Sequence, residues 1–408
     1  MELRELRGME LAATRTIRKR DGWWVVPSQA GNGLYRVQLA KKFATCECPD
    51  FEKRGTSCKH IFAATFVSRR EQNPDGSVTV TESLTVTAEK QTTYPQAWAA
   101  YNEAQTNEKD KFQALLFDLC NGIPLGPRVK KNGRPTLPLS DAIFSVTFKV
   151  YSTVSARRFM TDLRDAQGKG FIAKTPHYNS VINYLENPEL TPLLKSLITQ
   201  SSLPLKSVET DFAADSSGFM TSRFTRWYDH KYGVEKTKAD WVKCHLMCGT
   251  KTNIVTAVEI HSQHAADTKM LPALASATAM NFTMHEVSAD KGYASKANYE
   301  SIARLGATPF ISFPESHKGQ GGGKWAEMFH YFNFRKQEFL QHYHKRSNVE
   351  STFSMMKRKF GDSIRSKTDT AMVNEVLCKV LCHNLVVLIH EMYELGIDPV
   401  FWSKATVN

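Results

Sequence analysis

Three acidic residues stand where chemistry on phosphodiesters could use them. Asp215 closes a strand-like run and precedes Ser216-Ser217-Gly218, where a turn is expected. Asp290 ends the run FTMHEVSAD ahead of Lys291-Gly292-Tyr293, and Glu350 is expected in the middle of a helix. Two strand ends and one helix can bring three carboxylates to a common point. Carboxylates gathered in this way repel one another unless a cation is bound. Two magnesium ions about 3.5–4 Å apart, held by hard oxygen ligands, can activate an attacking oxygen and stabilise a leaving one. Asp211, four residues upstream, is a rival for the first ligand, and the Ser-Ser-Gly turn favours Asp215. Around the glutamate the spacing Tyr343-x-x-Arg346-x-x-x-Glu350-x-x-x-x-x-x-Lys357 keeps four side chains near one helix face. That face would offer two cations for phosphates and one aromatic able to stack on a base.

A second constellation is Cys46-x-Cys48-x9-Cys58-x-His60, between the strand-like GLYRVQLAKKFATC and the helix-like IFAATFVSRR. Thiolates and imidazole together suit tetrahedral zinc, and a closed set of four leaves no open position for catalysis, so the metal is structural. Lys41, Lys42, Lys53, Arg54 and Lys59 surround the ligands and favour DNA over protein as what the module touches. A third set, His261, His264 and Asp267, has a spacing that could hold a hydrolytic zinc. It follows a strand, however, and lacks the glutamate base of an H-E-x-x-H helix.

The elements that must position these residues can be read along the 408-residue chain, which is long for one domain. Residues 1–70 hold the zinc-binding module, and the Ser/Thr-rich 71–93 read as a linker. From 94 to 203 apolar residues recur at three and four positions, which predicts helices. One of them runs on from Leu139, with Ser140 as its N-cap and Arg157-Arg158 exposed. In that region Lys130-Lys131-Asn132-Gly133-Arg134-Pro135 is a basic breaker whose Gly-Arg-Pro resembles an AT-hook core, with Arg134 as a minor-groove contact. A basic loop between helices is the other reading. Helix-turn-helix binding to DNA and a purely packing bundle both remain open for the helices. From 204 to 396 short β-rich runs alternate with helices, an α/β layered domain, and the chain turns helical again from about Asn333 to Tyr393.

Composition is that of a globular protein, and the net charge of +12 favours a polyanionic partner. No stretch approaches about 18 uninterrupted apolar residues, so no membrane partner is expected. The charged N-terminus lacks a signal-peptide core, and a cytoplasmic, nucleoid-associated location is expected. Cys244, Cys248, Cys378 and Cys382 lie in apolar surroundings and read as buried thiols rather than disulfides.

The Tyr-Arg-Glu-Lys spacing resembles, in order and in every interval, the Y-R-E-K signature of bacterial insertion-sequence DDE transposases. DSSGF and ADKGY resemble that family's two aspartate motifs, and the resemblance covers roughly 205–393. It implies an RNase H-like catalytic domain, a mixed sheet flanked by helices. In that domain Asp215, Asp290 and Glu350 would bind two Mg²⁺ or Mn²⁺ ions, Arg346 and Lys357 would contact DNA phosphates, and Tyr343 would position DNA. It further implies cleavage and strand transfer at terminal inverted repeats, with a homodimer in the complex with element ends and target DNA. The chain has room only from about Pro314 to Asn333 for the long β-rich insertion of better-known members, which leaves hairpin formation open. The Cys/His spacing resembles the SWIM zinc finger. A catalytically inactive or domesticated DNA-binding derivative, and an RNase H-like nuclease outside transposition, are the alternatives.

Overall fold

The computed structural model describes residues 3–29, 33–40, 43–71, 97–124, 137–221, 241–262, 266–314 and 322–402. Residues 72–93 of the expected linker lie outside them, as do Arg134, His264, Lys41 and Lys42. The chain forms two compact units, Met1–Pro95 and Gln96–Asn408.

In the first unit α1 (Leu3–Thr14) packs on α3 (Lys59–Glu71), beside an antiparallel sheet of β1 (Arg18–Arg20), β2 (Trp23–Pro27), β3 (Leu34–Leu39) and β4 (Ala44–Cys46). The short α2 (Pro49–Arg54) links β4 to α3. Burial alternates along β2, placing Trp24 and Val26 inward with Val37 of β3. The two helices approach closely because position 8 is glycine: a Cβ there would lie 2.5 Å from the Phe62 Cβ and 2.9 Å from the Lys59 carbonyl oxygen.

The second unit is built on a mixed sheet ordered β7-β6-β5-β8-β9. β5 (Asp211–Met220), β6 (Trp241–Gly249) and β7 (Val255–Ser262) form an antiparallel meander, while β8 (Glu286–Ala289) and β9 (Thr308–Ile311) run parallel to β5. The parallel strands require crossovers, supplied by α9 (Asp267–Ala279) and α10 (Lys296–Arg304). Along β5 successive side chains face opposite cores. Ala213 and Phe219 join one with α4 (Trp98–Asn121), α5 (Leu139–Ser152), α6 (Ala156–Gly168), α7 (Tyr178–Leu185) and α8 (Leu190–Ser202); Phe212 and Ala214 join the other with α9 and α10. After β9 the chain is helical: α11 (Gly323–Phe334), α12 (Lys336–Tyr343), a 3-10 turn over His344–Arg346, α13 (Ser347–Phe360) and α14 (Asp369–Glu394). The expected mixed sheet flanked by helices is therefore present. The segment before Glu350 is helical where described, with Phe313 packed on Trp325 and Phe329.

Helix α14 is long and apolar enough by composition to cross a membrane, although Asn374, Glu375, Lys379, His383 and Asn384 interrupt its apolar run, and 89% of its most apolar window is buried within the protein. Its polar residues bind its neighbours. Asn384 Oδ1 accepts from the Val255 N–H, and its Nδ2 donates to the Ile198 and Val255 carbonyls. The fully buried Glu209 fixes the β6–β7 turn by accepting from the Lys251 and Thr252 N–H groups and the Thr252 hydroxyl. All eight cysteines are buried and free, and burial pushes the Cys244, Cys248 and Cys378 thiols up to about 12. Ser140 is not the cap of α5. Pro138 occupies that position, and the Ser140 hydroxyl faces Asp141 inside the first turn.

Candidate active site and zinc centre

The parallel ladder between β5 and β8 pairs Asp211 with Glu286 and ends with Ala214 opposite Ala289. Asp215 and Asp290 are thus the next rung, on neighbouring chains that run about 4.8 Å apart. Asp290 caps the 3-10 turn Lys291–Tyr293. Asp215 is inside its strand, since β5 continues through Ser216-Ser217-Gly218 to Met220 and no turn occurs there. Tertiary partners account for the difference. The Ser216 hydroxyl donates to Asp267 (3.0 Å), and the Ser217 hydroxyl accepts from Lys357 Nζ (2.7 Å). Gly218 makes room for the Trp241 ring, 2.7 Å from where a Cβ would stand.

Glu350 lies in the first turn of α13, not at mid-helix. Its carboxylate pairs with Arg346 (2.8 Å), whose guanidinium sits 5.5 Å from the Tyr343 ring centroid. The Tyr343 hydroxyl donates to Asp290 (3.5 Å). Burial pushes the Asp215 carboxyl above the ordinary range. The Ser216 N–H and Arg346 oppose that shift, and Asp290 and Glu350 add to it. Arg346 in turn feels Glu350, Asp290 and Asp215. Arg346 is thus in contact with Glu350 and within electrostatic reach of both aspartates. Lys357 is two turns further along α13, tied to Ser217 and lying over the Phe219 ring (5.3 Å).

Asp211 belongs elsewhere. It is four residues from Asp215, about 13 Å along the strand, and pairs with Lys345 (2.8 Å), which also binds Glu286 (2.7 Å). His342 completes that cluster against Glu286 (2.9 Å). Sequence reasoning missed Lys345 and His342; their positions beside Arg346 and one residue before Tyr343 were the available signal. Asp267 opens α9 with its carboxylate engaged by Lys243 (2.6 Å), His245 (3.4 Å) and Ser216, while His261 pairs with Glu259 (3.7 Å). Burial holds His245 down at about 4. These partners leave no free ligand set at Asp267 and His261.

In the first unit β4 ends at Cys46, Cys48 caps α2, and Cys58 and His60 open α3. Their ligand atoms lie within 4.8 Å of one another, and His60 Nδ1 is 3.9 Å from both the Cys46 and Cys58 sulfurs. Zn–S and Zn–N bonds of about 2.3 and 2.1 Å give tetrahedral edges of roughly 3.5–3.8 Å, so the cluster fits the ion with shifts of no more than about 1 Å. Hydrogen bonds from Cys46 and His60 pull the Cys58 thiol down to about 4, whereas the same contact with Cys58 drives the Cys46 thiol up. Among the described residues this is the group of closely placed histidine, cysteine and acidic ligand atoms that could hold a metal.

Residues 206–385 match the transposase DDE domain family, and residues 35–67 match the SWIM zinc finger. No curated protein matches the chain. The first match spans β5, β8 and α13 with their three acids, and the second spans all four zinc ligands; the chain carries a transposase DDE domain behind an N-terminal SWIM zinc finger.

Proposed function

We propose that this protein is an active transposase that cuts DNA at the ends of a mobile element and joins those ends to target DNA. Asp215, Asp290 and Glu350 are its metal-binding carboxylates. The observation that supports this reading is the β5–β8 register, which sets the two aspartates one residue past the last paired rung, within electrostatic reach of Glu350 and Arg346. Two Mg²⁺ or Mn²⁺ ions bound there would activate the attacking oxygen and stabilise the leaving one.

The residues of this chain do the rest. Asp215, half-buried and beside two other acids, is a poor isolated anion and a good cation ligand. Arg346, paired with Glu350, would be free to contact a phosphate were a metal held by the acids, and Tyr343 holds Asp290 through its hydroxyl. Lys357 reads the DNA backbone beside β5. Residues 94–203 and the zinc module at 1–70 bind the ends, with Arg134 in the minor groove, and two copies pair both ends. The site of action is the cytoplasmic nucleoid.

The test is divalent-metal-dependent cleavage of a duplex carrying the flanking inverted repeat. We expect Asp215→Asn, Asp290→Asn and Glu350→Gln each to lower cleavage at least a thousandfold at equal DNA binding, the scale of losing transition-state charge stabilisation. Wild-type binding without cleavage identifies a DNA-binding derivative, and cleavage of unrelated duplexes identifies a nuclease outside transposition.

A further inference from the structure

A cavity of about 720 Å³ opens between α5, α6, α7 and the segment joining α13 to α14. Its floor is apolar and includes Val181 and Phe360, but the charged groups on its wall are Lys149, Arg158, Arg365, Lys367 and Lys379 against the single carboxylate of Glu375. That carboxylate is largely consumed. Its oxygens accept from the Arg365 and Ser366 N–H groups and from the Ser366 hydroxyl (2.7 Å). Lys379, 2% exposed, donates to the Gly361 and Ser363 carbonyls. Arg365 donates to the Val154 carbonyl.

Lys149 differs from its neighbours. Half-buried in the last turn of α5, its ammonium makes no hydrogen bond or ion pair among the described residues. The charges that face it are Arg365, Lys379 and Glu375. Burial and the two cations lower its proton affinity to about 8, so it remains charged at neutral pH. A desolvated cation among cations is costly without an anion. The partial charge at the end of α5 offsets a small part of that cost.

We propose that this cavity receives a backbone phosphate of DNA flanking the bond to be cut. The inference rests on the transposase reading. Two of the three elements that carry or precede the catalytic acids, β5 and α13, end here. The Met220 N–H at the end of β5 donates to the Asp362 carbonyl, the Met220 carbonyl accepts from the Ile364 N–H, and Phe360 closes α13. From Asp215 to Met220 the strand covers about 16 Å, roughly five base steps at 3.4 Å each. A duplex engaged at the carboxylates reaches the cavity within half a helical turn.

The experiment measures anisotropy of a labelled element-end duplex across a salt series, using the full chain carrying Asp215→Asn so that DNA stays uncut. Adding Lys149→Met is expected to lower the slope of log K against log salt by about 0.9 and the affinity about eightfold at 0.1 M salt. Lys149→Arg should restore both. The methionine variant should melt no lower than its parent, because Arg365 and Lys379 lose a like charge. An unchanged slope overturns the proposal, and so does weaker binding accompanied by a lower melting temperature. Stabilisation of the parent by inorganic phosphate, lost in Lys149→Met while the DNA slope stays fixed, assigns the cavity to a free anion and also overturns it. If the parent binds no duplex at all, the transposase reading itself fails.

Discussion

Asp211 and Asp215 are the same residue type on the same strand face, and their surroundings separate them. Asp211 is neutralised by Lys345, whereas Asp215 is half-buried with acids for neighbours. Asp211→Asn should leave metal-dependent cleavage intact and cost about 1 kcal/mol, the value of a partly exposed pair. Asp215→Asn should abolish cleavage yet raise the melting temperature in the absence of divalent metal. The sign follows from the raised carboxyl: the folded state holds that proton more tightly than the unfolded chain, so its ionisation at neutral pH weakens the fold. The gain should shrink as pH falls through the raised value. Calorimetry of both variants across pH checks the pair. The Cys46, Cys48, Cys58 and His60 cluster was legible in the sequence because residue type and spacing carry that information. The competition for Asp211 was not, because Lys345 reaches it across 134 positions.

At the scale of elements, the α/β texture after residue 204 and the helices before it were legible from periodicity. The continuation of β5 through Ser216-Ser217-Gly218 was not. Small polar residues read locally as a turn, and the hydroxyl partners and the Trp241 ring that keep them extended come from β6, α9 and α13. The meander behind the site has its own constraint. A Cβ at Gly249 would lie 2.2 Å from the Glu209 carboxyl carbon, which must stay in place to bind the Lys251 and Thr252 N–H groups. Gly249→Ala is expected to destabilise the second unit by about 1–3 kcal/mol. Urea unfolding reads this directly, and an unchanged midpoint would mean that Glu209 does not fix the turn.

At the scale of the molecule the two units have separate cores. The first buries few large side chains and gathers its best-buried polar atoms around four metal ligands. Zinc binding to such ligand sets contributes about 10–16 kcal/mol at neutral pH. Chelation, or Cys58→Ser, should therefore abolish one calorimetric transition and leave that of residues 96–408 in place. A second transition that fell by more than a few degrees would show that the units fold as one.

The rung that joins Asp215 to Asp290 also governs which kinds of inherited change the protein can survive. Side chains alternate between faces along β5, so deletion of a single codon between Asp211 and Asp215 would swing the aspartate into the core occupied by Phe212 and Ala214. A two-codon deletion would restore the face but displace the carboxylate by about 7 Å along the strand. Point mutations can explore this site gradually, whereas frame-preserving indels in β5 or β8 remove it in one event. Length variation among descendants of this gene is therefore expected outside β5 and β8.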